Sequence, residues 1–121
     1  MDEAVQRGLE NDRTIDITTI GRHSGDPRRI EIWRYRHDGR TFLSGSPGIR
    51  DWYANLVAHP QFTYHLKGSA QADLDAVARP ITGEAERREV IAGILEDLGR
   101  GSGDLEEWVA SSPLAEVEFK H

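Results

Sequence analysis

Cysteine is absent from this 121-residue chain. Its absence excludes disulfides, iron–sulfur clusters, thiolate zinc sites and cysteine nucleophiles. Long apolar runs are also missing, and no stretch approaches the roughly 18 residues that a membrane-spanning helix requires. Met1-Asp2-Glu3-Ala4-Val5 opens with acids, where a secretory signal has basic and then apolar residues, so the expected location is the cytoplasm. Positive charge is scarce overall, with a net charge of −6. That balance argues against a general nucleic-acid binder, whose phosphate contacts need a basic face.

The histidines, His23, His37, His59, His65 and His121, include no pair at helical ligand spacing, and no metal site is expected. Ser24, Ser44 and Ser46 lack a convincing histidine and acid partnership, which leaves serine-nucleophile catalysis without support. No catalytic side chain is singled out. His59, before a proline, is expected to end a helix, and His65 to lie on the outward face of a strand. Glu84, Glu86 and Glu89 read as a solvated helix face.

What charge there is has been sorted along the chain. Between Arg13 and Arg50, eight arginines accompany only four acids, a local excess of +4, so the remainder carries −10. An acidic protein that gathers its arginines in this way has the makings of an anion site. Solvated arginines at turns and strand edges would give the same count.

The length suits a single domain spanning residues 1–121, with any site on one core or between two copies. So small a chain buries a modest share of its surface, and a homodimer would cover more apolar area. Patterning gives a weak helix over residues 2–10 and strands over Thr14 to Ile20, Arg29 to His37 and Thr41 to Ser44. Asp38-Gly39 joins the last two as a hairpin turn. Asp51 is placed to cap a short helix from Trp52 to Ala58, which must end near His59-Pro60.

A second hairpin pairs Gln61 to Lys67 with Ser69 to Arg79. The longest helix runs from about Thr82 to Leu98, with Gly99 just past its end. Asp104 and Glu107 suggest a capping box before a short helix through Trp108, and Leu114 to Phe119 is the last strand. Six strands, one long helix and two or three short ones, with mostly tight connections, predict a mainly β (α+β) fold. An antiparallel barrel is favoured over a parallel sheet, which would need crossover helices.

Two segments could carry chemistry. Gly21-Arg22-His23-Ser24-Gly25-Asp26-Pro27-Arg28 joins two strands and offers guanidinium groups, an imidazole, a hydroxyl and accessible turn amides, all suited to a phosphate. A plain charged turn would look the same. Ser46-Pro47-Gly48-Ile49-Arg50-Asp51-Trp52-Tyr53-Ala54-Asn55-Leu56 starts a helix with an indole and an amide three residues apart. Such a pair could floor a planar ring and bond its edge, or could merely anchor the helix.

The order TTxGRxSGxPR, a small-residue loop, then WYxNLxAxP resembles the deazaflavin-dependent nitroreductase and F420H2-dependent quinone reductase family, from about Ile15 to Lys67. The resemblance implies a six-stranded split β-barrel related to the FMN-binding fold. It implies that Arg22, His23, Ser24, Gly25 and Arg28 hold the phosphate of the cofactor tail. Ser46, Gly48, Trp52 and Asn55 would match the loop and helix near the cofactor, and Ile32 would lie beside the ring. The implied cofactor is coenzyme F420, with FMN as the alternative, and the implied reaction is hydride transfer to a small-molecule acceptor: a quinone, nitroaromatic or activated alkene.

The chain departs from the family at His23 and Pro47, where lysines are common, and in its C-terminal segment, which has Leu105-Glu106-Glu107-Trp108-Val109 in place of tyrosines. These departures sustain a second reading, a non-catalytic module of the same fold for FMN, haem, a lipid or another tailed anionic ligand.

Overall fold

The structure, a computed structural model, describes residues 2–120. Among them, the order is α1 (Glu3–Asn11), β1 (Thr14–Ile20), β2 (Pro27–His37), β3 (Arg40–Ser44), α2 (Asp51–Ala58), β4 (Gln61–Lys67), β5 (Gln71–Pro80), α3 (Glu84–Asp97), a 3₁₀ turn at Ser102–Asp104, α4 (Leu105–Ser111) and β6 (Leu114–Phe119). The six strands close into an antiparallel barrel in the order β1-β2-β3-β6-β5-β4. The expected fold is therefore present.

Local chemistry sets the elements. The β2–β3 hairpin turns on Asp38 and Gly39, whose φ values of 54° and 74° fit a turn that needs positive φ at both central positions. Gly99, at φ 72°, ends α3 in the left-handed conformation while Arg100 N–H returns to the Leu95 carbonyl. Asp2 caps α1 through a 2.7 Å bond from Ala4 N–H.

The barrel buries two apolar clusters. Ile15, Ile17, Leu43, Phe62, Tyr64 and Val117 fill its interior, closed by Leu9 of α1 and by Trp52 and Leu56 of α2. Outside, Tyr35, Phe42 and Leu114 pack under α3 and α4 through Val90, Ile91, Ile94, Leu95 and Trp108. β3 is thus covered on both faces, Leu43 inward and Phe42 outward, which explains why its sequence does not alternate. Burial keeps the Tyr64 phenol protonated, its pKa pushed up to about 12.

Three local expectations are corrected, and one is met with a difference in burial. Asp51 does not cap α2: Arg50 holds the cap position without a side-chain bond, and Asp51 is the first helical residue. Asp104 makes no cap bond to α4 and instead pairs with Arg100 at 2.9 Å. His65 does lie on the outward face, yet it is buried, held between Thr18 Oγ1 and Asp73 Oδ1 at 2.7 Å each. Glu86 is no freely solvated acid: with Glu116 it joins Arg40 and Arg79 in a network that ties α3 to β3, β5 and β6.

Candidate functional site

β1 and β2 meet at a turn closed by its own backbone. Gly21 N–H donates to the Asp26 carbonyl at 2.8 Å, and Gly25 N–H donates to the Gly21 carbonyl at 2.9 Å. Ser24 Oγ accepts from Asp26 N–H at 3.1 Å, a common side-chain device for tightening a turn. Gly25 has φ 74°, and a Cβ on Gly21 would come within 2.6 Å of Ser24 Oγ, so both positions suit glycine.

The turn is fastened to α2. Arg22 donates to Asn55 Oδ1 from its backbone N–H at 3.1 Å and from Nη1 at 2.9 Å. Its Nη2 meets Asp51 Oδ1 at 3.2 Å. Asn55 in turn donates from Nδ2 to Thr19 Oγ1 at 3.3 Å, and both residues are buried. Asn55 is therefore spent on holding the turn, and so are three of the Arg22 donors, its backbone N–H, Nη1 and Nη2.

Other donors are left over. Among the described residues, the N–H groups of His23 and Ser24 have no hydrogen-bond partner, and neither has the exposed Arg28 guanidinium. Two adjacent turn amides beside an arginine can form an anion-binding concavity.

These groups open into a cleft of about 470 Å³ between the turn and α2. Its lining brings together Arg22, His23, Ser24, Arg28, Trp52 and Asn55 from the expected set, along with Thr19, Gly21, Ile30 and Asp51. Gly25 belongs to the turn but does not line the cleft. Ser46 and Gly48 lie elsewhere: Ser46 accepts from Arg50 Nη2, and Gly48 lines a separate surface depression with Ile49, Tyr53 and Pro113. Ile32 packs against the barrel core. Ile30, two residues nearer the turn on the same face, supplies the apolar wall instead, at 37% exposure.

The cleft thus pairs a cationic, amide-rich end with an apolar wall of Ile30 and Trp52. The volume lies in the range of small-molecule sites, which are mostly apolar with a few placed polar groups. A planar ring carrying a phosphate tail fits this donor set.

The profile of the F420H(2)-dependent quinone reductase family matches residues 2–100. The chain belongs to this family. It is an F420-dependent reductase family, so coenzyme F420 is the cofactor.

Solved structures support the fold. A conserved hypothetical protein from Mycobacterium tuberculosis superposes with a TM-score of 0.73 at 20% identity, covering 100% of this chain and 82% of that one. An F420-H2 dependent reductase, FDR-A, gives 0.59 at 22% identity, covering 88% and 95%. A FAD-binding protein from Mesorhizobium loti gives 0.71 at 12% identity, covering 100% and 91%.

Proposed function

We propose that the cleft between the Gly21–Asp26 turn and α2 binds coenzyme F420 and that the protein passes a hydride from its reduced form to a quinone. The observation that carries this reading is the set of unpaired donors, His23 N–H, Ser24 N–H and Arg28, gathered at one end of a cleft whose other wall is Ile30 and Trp52. The first group suits the tail phosphate and the second suits the ring. The bound, reduced deazaflavin would supply the hydride, which is chemistry that no side chain of this cleft provides.

The chain's own residues bind and orient. Arg28 and the two turn amides neutralise the tail phosphate. Arg22 and Asn55 keep the turn at a fixed distance from α2, so that donors and apolar wall face one volume. Trp52, 8% exposed and packed edge-on to Tyr53 with ring centroids 5.9 Å apart, offers a rigid surface that excludes water from one side of the ring. Nitroaromatics and activated alkenes are the other acceptor classes compatible with a hydride donor in an open cleft.

The test is a titration of the purified protein with oxidised F420 and, in parallel, FMN, followed by fluorescence. Micromolar binding of F420 that weakens in Arg28→Ala is the expected result. No binding of F420, or binding of FMN or haem in its place, would overturn the reading in favour of a non-catalytic module. Oxidation of reduced F420 by a short-chain quinone then tests turnover.

A further inference from the structure

The barrel interior changes character toward α1. Ile15, Ile17, Leu43 and Phe62 make most of it apolar, but on β2 the inward face continues from Ile32 to Arg34 and Arg36, and Tyr64 of β4 lies close enough to feel both charges. Arg34 is 5% exposed; its Nη2 donates to the Glu10 carbonyl of α1 at 2.9 Å, while its Nε has no hydrogen-bond partner. The hydroxyl of the fully buried Tyr64 is equally without one. Arg36, half-buried, donates to Thr41 Oγ1 at 3.1 Å and to the Gly39 carbonyl at 3.4 Å.

Among the described residues no carboxylate meets either guanidinium. Asp97 acts on Arg34 only from a distance and is bonded to Arg13 at 2.6 Å; Glu116 is shared by Arg40 and Arg79. An interior charge without a partner is costly, and orphaned interior donors call for an acceptor. A cavity of about 390 Å³ reaches this region from the α1 end. Inward-facing Arg36, Thr41, Val117 and Phe119 line it together with Leu9 of α1. The Phe119 ring meets Tyr64 edge-on with centroids 5.0 Å apart, so the phenol stands directly behind the cavity wall. The cavity shares no residue with the cleft at the Gly21–Asp26 turn and lies at the other end of β2.

We propose that this cavity is a second binding site, for a small monocarboxylate with an apolar body. The carboxylate meets Arg36, with Arg34 Nε and Tyr64 Oη as the further donors, and the hydrocarbon lies along Leu9, Val117 and Phe119. The free groups are all donors, and a guanidinium fork matches a planar carboxylate. Glu116 and Glu118 at the rim oppose a polyanion, which leaves a single charge as the fitting one. The volume suits a short aliphatic chain or one aromatic ring. Because Leu9 belongs to α1 and Arg36 to β2, an occupant also ties the helix to the barrel.

Titration calorimetry of the purified protein with sodium hexanoate, without F420, tests the site. Hexanol and sodium chloride at the same concentrations separate the apolar body from the charge. Wild type should bind hexanoate with a dissociation constant of about 1 mM or tighter. Arg36→Gln should raise that constant about tenfold to a hundredfold, and Tyr64→Phe about twofold to tenfold. Without hexanoate, Tyr64→Phe should leave the urea unfolding midpoint unchanged or higher, since the hydroxyl it removes has no partner. With hexanoate, the wild-type midpoint should rise by more than that of the variant.

No binding of hexanoate overturns the proposal, as does binding indifferent to both substitutions. Hexanol binding as tightly as hexanoate would reduce the site to an apolar hole, and chloride binding as tightly would assign it to an inorganic ion; either result overturns the carboxylate. A clear loss of stability in Tyr64→Phe without ligand would give the hydroxyl a structural partner and remove it from the site. Arg28→Ala should bind hexanoate as wild type does, and a loss there would move the carboxylate to the cleft. Failure of F420 binding with hexanoate binding intact would sink the cofactor reading and leave this site standing.

Discussion

The backbone amide and the guanidinium of Arg22 converge on one atom, Asn55 Oδ1, at 3.1 and 2.9 Å. The two residues that seemed suited to a phosphate and to a ring edge are bonded first to each other. Arg22 and Asn55 thereby hold the turn on α2, and in the proposed function the anion contact falls to their neighbours His23, Ser24 and Arg28.

Asn55→Ala removes the acceptor from two Arg22 donors and leaves Thr19 Oγ1 without its partner. A buried polar group stripped of its partner costs about 1–3 kcal/mol. The variant should lose stability by that order in urea unfolding and should also weaken F420 binding, because the turn is no longer held. Asn55→Asp keeps the acceptor oxygens and should recover part of both losses; equal damage in the two variants would contradict the clamp.

Arg28 differs in having no partner among the described residues. Arg28→Ala should therefore leave the unfolding midpoint unchanged while F420 affinity falls, by about tenfold to a hundredfold for a charge-assisted contact of roughly 1.5–3 kcal/mol. A flatter dependence of affinity on salt should accompany the loss. A large stability change without an affinity change would show that the guanidinium does structural work.

Much of this was legible before the fold was known, for identifiable reasons. Strand and hairpin positions followed from alternation and from Asp38-Gly39, since period-two burial and positive φ leave direct marks in sequence. The cleft's cationic end was legible because glycine, serine and arginine cluster within eight positions. Long-range bonds leave no such mark. Asp51 has the composition of a cap, but Arg22 lies close enough to claim its carboxylate. The outward face of His65 was legible from the alternation of its strand, but not the burial that Thr18 and Asp73 from neighbouring strands give it. Ile30 and Ile32 share a face within the stretch of β2 that pairs with β1, and only the position of the turn, two residues nearer to Ile30, makes Ile30 the one that reaches the cleft.

The acid response of the barrel should depend on Glu86. The Arg79 guanidinium beside it, with help from Arg40, holds its carboxyl down to about 2 from an ordinary 4.5. A carboxyl whose folded pKa is depressed contributes stability above its unfolded pKa and loses it as the pH falls toward the folded value. The contribution is then fully present above about 4.5 and lost between about 4.5 and about 2. Glu86→Gln should lower stability at neutral pH and flatten the unfolding midpoint across that window. Parallel acid profiles for the two proteins would remove Glu86 from the account.

Gly93 tests how α3 sits on the barrel. In the middle of a helix, alanine is intrinsically better than glycine by about 1 kcal/mol, so propensity alone predicts that Gly93→Ala stabilises. The packing predicts the reverse. A Cβ at this position would lie 2.2 Å from His37 Nδ1 and 2.7 Å from Cε1, and His37 ends the strand over which α3 crosses. Relief requires either the imidazole to leave or the helix to lift, and overpacking of this kind costs about 1–3 kcal/mol. Urea unfolding should show net destabilisation for Gly93→Ala, and His37→Ala in the same chain should reverse it by making room. If the single variant is more stable than wild type, the close seat of α3 on β2 is wrong. The outer apolar cluster beneath it, Tyr35 and Phe42 against Val90 and Ile94, would then have to be looser than described.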